Sequence, residues 1–219
     1  QKLKYDVWHG VVECADYGIP QNRKRMVHLA SKLGPVEMIP ATRTKRKTVR
    51  QSIGRFTPIE AGGQAKRDRL HMAASLSPLN LKRIKASKPG GTWRDWPKSL
   101  VAACHRNDTG KSYPAVYGRM EWDKPAPTIT TQCYNFGSGR FGHPEQDRAI
   151  SLREAAILQG FDRSYEFVPS GSAVELTSVG RLIGNAVPVG LGRAIAKSII
   201  KHVEAVDMNS SRQCRKVAS

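Results

Sequence analysis

Residues 147–161 read DRAISLREAAILQGF, a stretch that carries both ends of a helix. Ser151 stands where an N-cap is needed and Glu154 follows three residues later. In this capping-box spacing, hydroxyl and carboxylate satisfy each other's orphan amides. Ala155, Ala156, Leu158 and Gln159 continue the helix, and Gly160 stops it because glycine takes the left-handed cap without a Cβ clash. Arg148 and Arg153 flank the helix. It reads as a structural element that props up a site built from segments on either side.

Toward the N-terminus, residues 5–15 (YDVWHGVVECA) and 26–31 (MVHLAS) are rich in β-branched and aromatic types and read as strands. Gly18 and Pro20 mark the turn between them. Gln21, Arg23 and Arg25 then alternate, which on extended backbone sends all three to one side. An amide and two guanidiniums suit phosphate oxygens and the polar edge of a base; a solvated basic turn would use the same residues. Between 40 and 69 the composition shifts to Arg43, Lys45, Arg46, Lys47, Arg50, Lys66, Arg67 and Arg69 among Gly and Pro. It reads as a loop-rich passage that tracks a phosphate backbone.

Residues 71–86 have helical spacing with a restart at Ser77-Pro78, burying Leu79, Ile84 and Ala86. Trp93 and Trp96 read as local core rather than stacking platforms. Residues 126–131 (APTITT) read as a strand launching the loop 132–141, QCYNFGSGRF. Amides, a Tyr and an Arg on a Gly-rich loop suit the reading of base edges in a groove. The GSGRFG spacing at 137–142 matches a dinucleotide fingerprint, but His143-Pro144 follows instead of a helix, so that reading is rejected.

A short aromatic link at 164–168 precedes GNAVP at 184–188. Val189, Leu191, Ala194, Ile195, Ile199 and Val203 then follow at helical spacing. Asn185 sits in the turn feeding that helix, as a cap or as a site residue. From Asp207 onward the chain reads as a flexible tail.

The 219 residues are 39% hydrophobic, enough for a real core, and 36 Lys plus Arg against 18 Asp plus Glu give a formal charge of +18. Such a field points to a polyanionic partner, nucleic acid first. Cys14, Cys104, Cys133 and Cys214 show no zinc or disulfide spacing, which fits a reducing, intracellular compartment and no metal. No apolar run is long enough for a bilayer and no signal peptide is visible; a chain beginning at Gln1 reads as a fragment or processed product.

Three segments in order, PQNRKR (20–25), RAISLREAAILQGF (148–161) and RLIGNAVPVGLGRAIA (181–196), closely resemble the C-terminal half of the cytosine-5 DNA methyltransferases. KPAPTITTQ (124–132) and GRFGHPEQDR (139–148) resemble that family's target-recognition region and the approach to its ninth motif. The resemblance implies an α/β fold: part of a Rossmann-like S-adenosyl-L-methionine-dependent domain plus a small, mixed, loop-rich recognition domain. It further implies double-stranded DNA as partner, S-adenosyl-L-methionine as cofactor, and a setting of DNA methylation and restriction–modification.

By the same resemblance, Gln21, Arg23 and Arg25 match the eighth motif, whose arginines face a cytosine flipped out because its target carbon is inaccessible in stacked duplex. Thr128, Ile129 and Thr130 match the Thr-containing dipeptide of the recognition domain. Gln132, Tyr134, Asn135, Ser138 and Arg140 lie on the segment that enters the major groove, with 111–119 as a further specificity candidate. Arg148, Arg153, Glu154 and Gln159 match the ninth motif, which organises the recognition domain. Asn185, Ala186 and Val187 match the tenth, which lines the cofactor pocket.

The family's chemistry needs a Cys thiolate in a Pro-Cys context and a Glu in a Glu-Asn context. Glu13, Ala103, Gln132 and Gln213 precede the four cysteines, no Glu-Asn occurs, and the Gly-rich cofactor turn is missing. Cys14 and Cys133 therefore read as small buried hydrophobes. The expectation is a C-terminal part or subunit, inactive alone, partnered by an N-terminal catalytic half. Its segments would be 1–39 (catalytic strands), 40–165 (recognition), 166–206 (return helix) and 207–219 (tail). The alternative is an inactive DNA-binding remnant. RNA is disfavoured because the A-form major groove is too narrow for side chains.

Overall fold

The computed structural model describes residues 4–41 and 45–217, and the side chains of all of these except 108 and 209–217. Arg43 of the basic passage thus lies outside the described residues. β1 (Asp6–Glu13) and β2 (Lys24–Ser31) pair antiparallel, from Asp6 opposite Ser31 to Glu13 opposite Lys24. The first strand ends at Glu13 because Cys14–Tyr17 close into a 3-10 turn capped by Gly18 at φ 83°. Strand alternation then sorts the side chains. Val12, Val27 and Leu29 are buried with Cys14, Ile19 and Leu191. On the opposite face Val7, Val11 and Met26 remain 58%, 62% and 56% exposed, beside the stacked rings of His9 and His28.

The basic passage is more ordered than its composition suggests. Thr48 and Gln51 form a capping box on α1 (Val49–Ile53), and β3 (Gln64–Ala65) pairs with β4 (Asp68–Met72). The helix expected from His71 starts only at Pro78. His71 belongs to β4, and its ring is fixed between Ser151 Oγ and Thr57 O, each at 2.8 Å. α2 (Pro78–Ala86) begins from Ser77 as N-cap. Ile84 is buried there and Ala86 half-buried, but Leu79 is 46% exposed. It lies about 140° around the helix from Ile84, on the solvent side. Trp93 and Trp96 do bury, with Ile84, Phe136 and Ala149, and the short α3 (Ala103–Arg106) brings His105 to stack on Trp93 at 4.5 Å.

Residues 126–131 form no strand: one parallel bridge joins Ala126 to Gln21, and Thr131 already belongs to a turn. Pro125 and Pro127 lack the N–H groups a ladder needs. The segment's polar groups are met singly, Ala126 N by Pro20 O and Ile129 N by Gln21 Oε1.

α4 (Leu152–Gln159) is the helix read at 147–161. Ser151 Oγ accepts from Glu154 N, Glu154 Oε2 accepts from Ser151 N, and Gly160 closes it at φ 100°. All of its residues except Ile157 are buried, so it is core on nearly every side. It packs with Val49, Ile53, Met120, Ile129, Val179 and Ile183 in the central apolar cluster. α5 (Leu176–Asn185) lies against it. Asn185 is therefore the last residue of a helix, not a cap of the next one. Ala186, Val187 and the buried Pro188 make the turn into α6 (Val189–Val217).

α6 buries Leu191, Ala194 and Ser198 toward the hairpin, where Ser198 Oγ accepts from Ile39 N and Ser31 Oγ lies 2.7 Å from His202 Nε2. Ile199, Ile200 and Val203 stay 47%, 55% and 39% exposed. The helix runs through Val217, past Asp207 where a tail is expected. Elongating a nucleated helix takes one residue per new bond, and Met, Arg, Gln and Lys in this stretch favour it. Among the described residues no helix is long and apolar enough to cross a membrane.

Candidate functional site

Strand alternation at Gln21, Arg23, Val27 and Leu29 places the amide and the first guanidinium inside the molecule. Gln21 is fully buried. Its Nε2 donates to Leu158 O (3.1 Å) and Gln159 Oε1 (2.6 Å), and its Oε1 accepts from Ile129 N (3.0 Å). Gln159 in turn donates to Ala186 O at 2.7 Å. One chain of amides thus ties β2, the 126–131 segment, the end of α4 and the turn after α5. Gln21 spends its side chain on that framework.

Arg23 sits beside it, 6% exposed. Its Nη1 donates to Ile129 O (2.8 Å) and its Nη2 to Gly184 O (3.4 Å), while Nε is buried without a partner. Glu13 takes the backbone N–H of Arg23 at 2.7 Å, not the guanidinium. Burial, then the charge of nearby Arg25, pushes the Arg23 pKa down. A buried cation met only by carbonyls, with a donor open, is electrostatically under-compensated, and an electron-rich ligand would relieve it. Arg25 diverges from this pair: it is half-buried and donates to Lys24 O.

The tenth-motif residues flank the same point. Gln159 holds the carbonyl of Ala186 from behind, while Asn185 and Val187 face outward, Val187 at 66% exposure. Gly184 permits the approach: a Cβ there would lie 2.2 Å from Thr131 N and 2.3 Å from Thr130 C. One turn earlier, a Cβ on Gly180 would meet the Tyr134 ring at 2.5 Å. α5 therefore carries the root of the 132–141 loop directly on its backbone.

On that loop Gln132 and Asn135 are exposed and Tyr134, Ser138 and Arg140 half-buried; just before it Thr130 is exposed and Thr128 half-buried. Several of these groups have internal partners. Thr128 Oγ1 donates to Asn22 O, Ser138 Oγ donates to Gln132 Oε1, and Asn135 Oδ1 accepts from Gly137 N. Tyr134 OH lies 3.5 Å from Thr177 Oγ1. Arg140 Nη1 donates to Gly91 O at 2.6 Å, tethering the loop to the Trp93 region.

The ninth-motif residues are framework. Arg148 and Glu154 are fully buried and paired through two bonds of 2.7 and 2.9 Å. Burial pushes the Glu154 carboxyl up, but the hydrogen bonds and charge of Arg148, with His143 and the Ser151 amide, hold it below its ordinary value. Arg153 grips Asp68 with two bonds and donates to Tyr165 O. His143 is buried alongside; its Nδ1 accepts from the N–H groups of Glu145 and Gln146, and burial first lowers its pKa to about 4.

Arg119, a specificity candidate by sequence, is 5% exposed and saturated. It donates to Ile84, Ser87, His143 and Gln146 carbonyls and to Asp147, so its donors are spent on partners inside the fold. No sequence signal separates it from the exposed arginines around it. Cys14 and Cys133 are buried, and burial pushes their thiols up, Cys133 to about 12; Cys104 is exposed. Among the described residues no His, Cys, Asp or Glu group is arranged to hold a metal.

A model of the C-5 cytosine-specific DNA methylases matches residues 1–201. The chain is 56% identical over 208 residues to the type II methylase M.HgiDII of Herpetosiphon aurantiacus, covering 94% of this chain and 58% of that protein. It is 32% identical to the type II methyltransferase M1.HphI of Haemophilus parahaemolyticus, covering 92% of this chain and 50% of that protein. Among solved structures, a prophage-encoded Escherichia coli protein assigned as a DNA modification methyltransferase superposes with a TM-score of 0.60 at 18% identity. That superposition covers 91% of this chain and 61% of that one, and shows the fold. The chain therefore spans little more than half the length of these curated relatives.

Proposed function

The chain belongs to the C-5 cytosine-specific DNA methylase family, and we propose that it is the part of a DNA (cytosine-5-)-methyltransferase that reads duplex DNA and completes two pockets. One pocket takes the flipped cytosine, the other S-adenosyl-L-methionine. The observation that carries this reading is Arg23, a buried cation with an open Nε at the meeting point of β2, Ile129 and Gly184. A ring carbonyl of an extruded pyrimidine, or the phosphate beside it, is an acceptor of the kind this donor lacks.

The cofactor supplies the methyl group. On this chain the fit rests on the turn after α5: Gln159 fixes Ala186 from one side, leaving the Asn185 amide and Val187 outward to hold a polar and an apolar part of the ligand. Gln21 and Gln159 keep that turn in register with Arg23. Gln132, Tyr134, Asn135, Ser138 and Arg140 present the recognition edge, carried on α5 through Gly180 and Gly184.

The outer face of the β1–β2 hairpin, with Val7, Val11 and Met26 exposed, suits burial by the remainder of the catalytic domain, an N-terminal half carrying the nucleophile. Mixing this chain with the remaining segment of a relative such as M.HgiDII should give a stoichiometric complex on size exclusion. A chain that stays monomeric and soluble, and ignores that segment, contradicts the assignment.

A further inference from the structure

A basic surface leads away from the junction that neither the cytosine-facing nor the loop residues use. It starts at Asn22, whose carbonyl accepts from Thr128 Oγ1 and whose side-chain oxygen lies 3.4 Å from Arg46 Nη1. Arg46 is paired with Asp16. Lys45, Arg46 and Lys47 line a hollow of about 450 Å³ with Gly18 and Gln51. Gly18 and Lys47 also border a larger cleft of about 600 Å³, whose rim carries Arg163, Arg193 and Lys197. Among the described residues Asp162 is the only acid lining that cleft, and hydrogen bonds from Ser164, first of all, hold its carboxyl below the ordinary value. Among the described residues, Lys47, Arg163 and Lys197 form no salt bridge, and Arg193 meets only the charge of Asp162, which it helps to hold ionised.

Four like charges around one cleft repel one another, and a fold keeps them at a cost unless an anion visits. The two hollows share Gly18 and Lys47, and Arg46 at the wall of the smaller one reaches Asn22, which holds Thr128, so the basic groups follow a line rather than ring one small anion. We infer that the cleft between the turn after β1 and the start of α6 receives backbone phosphates of the same duplex whose bases the 132–141 loop reads. This rests on the duplex-DNA reading above and extends the footprint to Lys47, Arg163, Arg193 and Lys197. These contacts position the duplex without carrying sequence information.

The test is R193Q/K197Q, two exposed positions on α6 where glutamine keeps helix propensity. The chain and its variant are titrated with duplexes of several sequences over a range of salt, and an unchanged thermal midpoint confirms folding. Each lost phosphate contact removes about 0.9 from the slope of log K against log salt, so the slope should shrink by about two units. All sequences should weaken alike. A steep wild-type slope left unaltered by the variant overturns the track while the DNA reading stands. A variant that changes sequence preference places these residues at base edges and also overturns it. No salt-sensitive binding by the wild type removes both.

Discussion

Gln21 and Gln159, 138 positions apart in sequence, share a hydrogen bond of 2.6 Å inside the protein, and the second passes it on to Ala186 O. The entry to β2 and the turn after α5 are thereby parts of one hydrogen-bonded unit. Gln21→Ala and Gln159→Ala should each cost about 1–3 kcal/mol, because each leaves buried partners unsatisfied. The double variant should cost clearly less than the sum, since the shared bond is lost only once. Urea unfolding of the four proteins checks this, and strict additivity would separate the two residues.

Gly184 and Gly180 bear on the loop differently. A Cβ on Gly184 meets backbone atoms of Thr130 and Thr131, which cannot swing away, whereas on Gly180 its two shortest contacts are with the Tyr134 ring, with Thr131 O farther off at 3.2 Å. Gly180→Ala should cost about 1–3 kcal/mol of overpacking, and Gly184→Ala more. Combining Gly180→Ala with Tyr134→Ala should recover most of the loss. Thermal melts of the set decide it; equal costs at the two glycines would place the loop elsewhere.

Acid should loosen the ninth-motif region before the rest. His143 is buried with its folded pKa lowered to about 4, mainly by burial, with the charges of Arg148 and Arg119 adding to the lowering and Glu154 and Glu145 opposing it. A depressed pKa means that the unfolded chain binds the extra proton. The contribution of a neutral His143 is full above about pH 6.5 and is lost as pH falls toward 4, up to about 3 kcal/mol. Stability measured from pH 7 to 4 should decline in wild type and be flatter in His143→Gln. The same decline in both would shift the cause to other groups.

Arg23 and Arg140 should fail differently. In the completed enzyme Arg23→Ala should lower methyl transfer by about a hundredfold or more, with little change in duplex affinity, because its open donor serves the reacting base. Arg140→Ala breaks the tether to Gly91 O and should alter preference between sequences. A uniform loss across sequences would remove Arg140 from the recognition edge.

Local signals reached some parts of this molecule and not others. The capping box at Ser151 and Glu154, the stop at Gly160 and the alternation of Gln21 and Arg23 are short-range rules, and the structure follows them. The 126–131 segment reads as a strand by composition. Its neighbour across the only bridge is Gln21, more than a hundred positions away, and two prolines deny it a ladder. Leu79 is apolar yet solvent-facing because the core lies on the Ile84 side of α2. Arg119 is buried by partners drawn from Ile84, His143 and Gln146, a convergence no single stretch encodes. The ordered set of motifs disclosed the family; which arginines are spent on internal partners, as Arg119 and Arg148 are, required the fold.

The most direct measurement is transfer of labelled methyl groups from S-adenosyl-L-methionine to duplex DNA, by this chain alone and after mixing with a polypeptide supplying the N-terminal half of a relative. No transfer by the chain alone is expected, and transfer in the mixture that Arg23→Ala lowers by about a hundredfold or more. Inactivity of the mixture alongside salt-sensitive DNA binding would contradict it and identify a binding module without catalysis.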